Sequence, residues 1–333
     1  MSELVSAADL ETYLRCPRRY EFAHVQGLEA GEDRPETGRL EPIRAAICGS
    51  LRTGRTEPDD LEDEAGDRLE ERWADHDERF HSAEQRVYEL RVLEAAVSAY
   101  VETVGVDHAE GIAALRGRTD GAVVGPELPL SAPVETADGE TIEMEATVDY
   151  LTDDGSTLVG VRFVPTTAPL GLLRYRDGWE GDVASLFVSH FDPDDESFDP
   201  GPVAALFETA IVLEGLRELR DRLELPHRTC RYVQIPLVDR SRARVDWVRE
   251  SVEATVEPVD LTDVYLDQQT FRKTHEHRNE TVDDRLSRTL SALAAGEFDP
   301  GPRWEQIADS ACPSCEYAVC CEEYLASEVR FGG

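Results

Sequence analysis

Lysine is all but missing from this chain. Lys273 is the only one; every other member of the 34 basic residues is an arginine. A site built on a lysine ammonium is therefore excluded everywhere except around position 273. Long apolar runs are missing too. No stretch reaches the 18 or so residues that a membrane-spanning helix needs, and the N-terminus carries no signal-peptide or lipidation pattern. A soluble, cytoplasmic protein with no membrane partner is expected. No internal repeat, phosphate-binding loop or dinucleotide glycine fingerprint is present. His275 and His277 have the wrong spacing for a zinc pair on one helical turn.

Acid is what the chain has in excess. Seventy Asp and Glu stand against those 34 basic residues, a formal net charge of −36. The excess is spread along the whole length and not gathered in a tail. With lysine nearly absent, this pattern reads as adaptation to the salt-rich cytoplasm of a halophile, where ions screen the self-repulsion. Net acidity then reports solvation, and local arginine patches must be judged on their own. The other reading is an acidic protein of an ordinary cytoplasm that avoids DNA.

A length of 333 residues with 41% hydrophobic content supports a large core. Ser6-Ala-Ala-Asp9 resembles a capping box, followed by Leu10, Tyr13 and Leu14 on one helical face. Pro17 is suited to the first position of a second short helix. Residues 27–60 are polar and punctuated by Gly and Pro, and are expected to be irregular. Residues 60–76 favour helix. Residues 82–104 carry apolar side chains at helical spacing, with Gly105 as the stop. Near residue 120 the pattern turns to strands: 122–130, 141–151 and 157–164, joined by turn signals at Asp138-Gly139 and Asp153-Asp154-Gly155. Residues 165–200 read as loop, 203–223 as helix, 231–238 as strand with weaker strands to about 258, and 263–295 as mostly helix. The expectation is one α/β domain with N-terminal helices (1–26), a helical insertion (27–120), a sheet core with an antiparallel meander (121–260) and a C-terminal helical segment (261–333).

Cysteine use is concentrated. Four of the 7 cysteines lie in Cys312-Pro-Ser-Cys315-Glu-Tyr-Ala-Val-Cys320-Cys321. A C-x2-C pair with another cysteine five residues on is metal-ligand spacing. Cys16, at the other end, is the candidate fourth ligand, which would make the metal centre a clasp between the chain ends. Alternatively, Cys16 is a buried apolar residue and the tail binds zinc alone or nothing. Cys48 and Cys230 read as core residues.

The opening from Ser6 through Leu14-Arg-Cys16-Pro-Arg-Arg-Tyr20-Glu-Phe22, with the tail from Gly296-Glu-Phe298 to Cys321, resembles the RecB/AddB-like branch of the PD-(D/E)XK nuclease superfamily. The resemblance implies a PD-(D/E)XK-like fold and a 4Fe–4S cluster held by Cys16, Cys312, Cys315 and Cys321, with Cys320 as an alternative to Cys321. Four thiolates suit zinc as well. The superfamily's metal-dependent cleavage needs hard oxygen ligands for Mg2+ and a lysine beside the attacking water. By resemblance Asp149 is the first metal carboxylate and Glu127 an acidic partner. The following strand should carry an acid, any residue and a lysine, but reads Gly160-Val161-Arg162-Phe163. Arg162 keeps the charge of the missing lysine but not its compact shape. Where the branch often places a histidine, Ala45-Ala-Ile-Cys48-Gly49 stands instead. Arg18, Arg19 and Tyr20 are candidates for phosphate contact and base stacking.

The expectation that follows is an iron–sulfur, DNA-binding or scaffolding protein without nuclease activity. It would act in DNA repair or recombination on single-stranded DNA or duplex ends, with a UvrD-like helicase as a possible partner. One alternative is an active Mg2+-dependent DNA exonuclease using displaced acids such as Glu143 or Glu145. Another is a metal-clasped module for protein contacts alone.

Overall fold

A computed structural model describes residues 4–28, 35–119, 122–166, 186, 189–192, 197–239, 242–246, 251–266 and 278–328. Most of the 165–200 segment, and His275 and His277, lie outside them.

The chain opens with strand β1 (Leu4–Ser6) and helix α1 (Ala7–Arg15). The capping box forms: Asp9 N donates to Ser6 Oγ at 3.1 Å and Ser6 N donates to Asp9 Oδ2 at 2.8 Å. Leu10, Tyr13 and Leu14 are the buried face. Cys16 is extended and breaks the helix, and Pro17 starts α2 (Pro17–Tyr20).

The stretch expected to be irregular holds a long helix, α3 (Pro35–Arg52). Leu40, Ile43, Ile47 and Leu51 recur at spacings of three and four and are all buried. Each such side chain contributes roughly 1.5–3 kcal/mol on burial, which outweighs the hydrogen bond lost at Pro42 inside the helix. Helix α4 (Pro58–Ala74) follows as expected. Helix α5 (Ala83–Tyr100) does not stop at Gly105. It widens through Val101–Gly105 and runs on as α6 (Val106–Arg116). Gly105 has helical backbone angles, and a Cβ there would lie 3.1 Å from the Tyr100 ring. It is a close-packing glycine, not a stop.

Strands β2 (Val124–Glu135), β3 (Thr141–Asp154) and β4 (Thr157–Val164) form the antiparallel meander. Helix α7 (Pro200–Arg222) leads to β5 (Thr229–Pro236), which runs parallel to β4. A two-stranded ribbon, β6 (Ala243–Asp246) with β7 (Ser251–Ala254), packs beside α5. Strand β8 (Val259–Asp260) completes the main sheet, whose order is β1-β3-β4-β5-β8, with β2 on the other edge of β3. Helices α8 (Leu261–Tyr265) and α9 (Glu280–Ala294) precede α10 (Trp304–Ser310), a short turn at Cys312–Ser314, and α11 (Glu322–Glu328). Helix α7 lies along β2 to β5, while α3 and α6 cover β3. The result is a mixed sheet flanked by helices, the α/β class that the sequence pattern implies.

One edge of β3 is shared end to end. Strand β1 pairs with residues 143–145 and β4 with residues 150–154. Asp149 therefore sits in the gap between two partners. On the opposite edge the register with β2 shifts between Val124 and Leu128. Burial along β3 alternates as far as Val148 and is then continuous through Thr152. Three irregularities thus converge on one residue.

Candidate functional site

Asp149 is 1% exposed. Its Oδ2 accepts the Phe163 N–H at 2.7 Å and its Oδ1 the Glu127 N–H at 3.4 Å. The carboxylate thus closes the ladder where β4 and β2 leave it open. Burial raises its pKa, opposed by the Phe163 N–H, by Arg44 and by the Glu127 N–H. Glu127 occupies the register shift of β2 with φ of 58°, the left-handed region, and its side chain is 61% exposed.

Arg44 joins the two acids. Its Nη2 donates to Glu127 Oε1 at 3.1 Å, and its Nε lies 3.8 Å from Asp149 Oδ1. One turn on in α3, Cys48 lies beside Asp149, with Sγ 3.9 Å from the Asp149 carbonyl oxygen. The segment at which the resemblance places a histidine therefore does face this acid, but presents a thiol and a guanidinium. Cys48 is buried, as expected, and burial pushes its thiol pKa far above the ordinary range.

The acidic position on β4 is not merely unfilled. A Cβ at Gly160 would stand 3.2 Å from Leu216 and 3.2 Å from Val148. Val161 is fully buried. Arg162 turns to α7 and pairs with Glu208, whose carboxylate also accepts the Tyr232 hydroxyl at 2.7 Å. Gln234, opposite Arg162 on β5, donates to the same hydroxyl at 2.9 Å. Glu143 and Glu145 are half-buried on β3, where they pair with β1. At roughly 3.3 Å per residue, Glu145 stands about 13 Å along the strand from Asp149, too far to share an ion with it.

The second locus is where the chain ends meet. Cys16 and Cys312 pack with Ile307 in one apolar cluster; Cys321 packs with Phe22 and Tyr317 in another, with Cys315 at its edge. The Phe22 and Tyr317 rings are 5.6 Å apart, and the Tyr317 hydroxyl donates to the Leu28 carbonyl at 3.0 Å. Arg18 pairs with Glu323 at 2.7 Å and also with Glu21; Arg19 pairs with Glu316 at 2.8 Å. Tyr20 is buried and stacks on His24 and Phe298. Arg18, Arg19 and Tyr20 are thus occupied in closing the ends together.

Burial raises the pKa of all four candidate ligand thiols, that of Cys312 to about 11, where Cys16, Cys315 and Cys321 add to the effect. Backbone N–H groups of Arg19 and Arg18 point at Cys16, that of Tyr317 at Cys315, and those of Tyr324 and Glu323 at Cys321. Such donors favour the thiolate form that a metal requires. Cys320 is exposed. Among the described residues, no group of three or more His, Cys, Asp or Glu is disposed to hold a single metal ion.

A family model described as the PD-(D/E)XK nuclease superfamily matches residues 4–160. Over those residues the chain is similar to that superfamily. No curated protein matches it. The matched stretch takes in β1, Cys16, Glu127, Asp149 and the first half of β4, and stops before Arg162, Glu208 and the cysteine tail. No helix among the described residues is long and apolar enough to cross a membrane.

Sequence reading missed Arg44 and Glu208. Arg44 had a signal, since it precedes Cys48 by one helical turn and shares its face. Glu208 had none, because its role depends on how α7 lies across the sheet.

Proposed function

We propose that this protein is a DNA-binding member of the PD-(D/E)XK superfamily that does not cut DNA. The observation that carries the reading is Arg44 standing between Glu127 and Asp149. A guanidinium stands between the two acids, where a divalent cation bridging them would sit, and its charge offsets one of the two. The apolar closure around Gly160 and the capture of Arg162 by Glu208 argue in the same direction, since Mg2+ needs several hard oxygen ligands in open octahedral array.

Cys16, Cys312, Cys315 and Cys321 hold, on this reading, a four-iron cluster that fastens the two ends. The set fits thiolate coordination: three of the four have N–H donors aimed at sulfur, and both ends already meet through ion pairs and aromatic contacts. A single zinc, with Zn–S of about 2.3 Å, would draw all four sulfurs to within about 3.8 Å of one another. A cluster spreads its four ligands over several irons. The cluster's part is structural, and repair or recombination beside a UvrD-like helicase is the setting in which a non-cutting member would serve.

Binding is tested by fluorescence anisotropy with labelled single-stranded, duplex and forked DNA in graded KCl. Binding that weakens linearly with log salt is expected. No binding to any of the three at any KCl concentration of the series would refute the reading.

Glu208 favours a second reading. It reaches the sheet from α7 beside Arg162 and could supply the carboxylate that Gly160 lacks. An active nuclease of this kind would lose its Mg2+- or Mn2+-dependent cleavage on Glu208→Gln and on Asp149→Ala.

A further inference from the structure

The three charged groups at Asp149 are not held alike. Asp149 is buried and bonded to two backbone N–H groups on different strands. The Arg44 side chain is 16% exposed, and its Nε is buried beside Asp149 with no hydrogen-bond acceptor among the described residues. Glu127 alone reaches into solvent, with 61% of its side chain exposed and one oxygen on Arg44 Nη2. It is the member that can leave at little cost. An exposed carboxylate regains its hydration, whereas Asp149 would strand two donors.

What would replace it must carry one negative charge and accept from a guanidinium edge. A phosphate diester does both, and it meets arginine with charge-assisted bonds of the same kind. The exchange conserves charge at Arg44, while Asp149 keeps its own side of the guanidinium. We propose that Glu127 is a latch: in the DNA-free protein its carboxylate occupies a phosphate-diester site built on Arg44. This rests on the reading that the cleft meets DNA, and it gives that cleft a defined backbone contact independent of metal.

The test is a double-mutant cycle on the full chain, with anisotropy of a fluorescein-labelled duplex bearing a single-stranded tail, across a KCl series. Glu127→Gln is expected to bind about fivefold tighter, the scale of one exposed ion pair removed from competition. Arg44→Gln should bind more weakly, with a log–log salt slope smaller by about 1. In the Arg44→Gln background, Glu127→Gln should bring less than a twofold gain. If Arg44→Gln does not fold, Arg44→Lys takes its place, keeping the charge without the fork, and the Glu127→Gln gain should again shrink. An undiminished gain in either background would mean only that an acid had been taken off an acidic surface, and would overturn the latch. So would equal or weaker binding by Glu127→Gln when the wild type binds. Failure of both wild type and Glu127→Gln to bind would overturn the DNA-binding reading as well.

Discussion

Asp149 has a structural duty independent of any chemistry. Its two oxygens serve N–H donors on β2 and β4, and its charge faces Arg44. Asp149→Ala would leave both donors without an acceptor and the inner edge of the Arg44 guanidinium without its facing charge. A loss of about 3–5 kcal/mol is expected by urea unfolding; a loss below about 1 kcal/mol would show that the strand edges hold without it. His108 gives a pH test at the same scale. Burial lowers its pKa to about 4, and its Nδ1 stands 2.7 Å from the Tyr150 hydroxyl. The folded protein keeps this imidazole neutral, while the unfolded chain takes up the proton near the ordinary value of about 6.5. Its contribution is thus complete above pH 6.5 and lost as pH falls to about 4. His190, also lowered to about 4, acts in the same window. His108→Gln should flatten the fall in melting temperature between those limits. An unchanged slope would mean that His108 does not drive it.

At the scale of elements, ring contacts and ion pairs hold the two chain ends together. Phe22 against Tyr317, and Arg18 and Arg19 against Glu323 and Glu316, join α2 and its continuation to the tail. Protein purified anaerobically in high salt is expected to carry about four irons with acid-labile sulfide per chain; about one zinc and no iron would replace the cluster with a structural zinc site. Which elements could be read in the sequence follows from how local their signals are. The meander was legible because alternation and turn residues lie side by side along the chain. The α1 cap was legible for the same reason, being complete within four residues. Helix α3 was hidden because Gly38, Pro42 and Gly49 interrupt it, and its stripe gains value only against the sheet. Gly105 misled because a glycine needed for a close ring contact has the same letter as one that ends a helix. The site was legible as far as Asp149 and Glu127. What lies between them was not, since Arg44 comes from an element 83 residues away from Glu127 in the chain.

For the whole molecule, a net charge of −36 makes salt the governing variable. Repulsion along the surface opposes compactness and eases as ions screen it, while the proposed arginine–phosphate contacts weaken over the same range. Binding must then depend on local guanidinium contacts strong enough to survive that screening. The central proposal is that this PD-(D/E)XK-like fold meets DNA at a centre whose cation is an arginine, so that the strand stays intact. The most direct measurement is cleavage of end-labelled DNA at saturating protein, with Mg2+ or Mn2+, resolved by length on a denaturing gel. The account predicts bound, full-length DNA with either metal, identical to the Asp149→Ala control. Metal-dependent shortening that disappears in Asp149→Ala would contradict it.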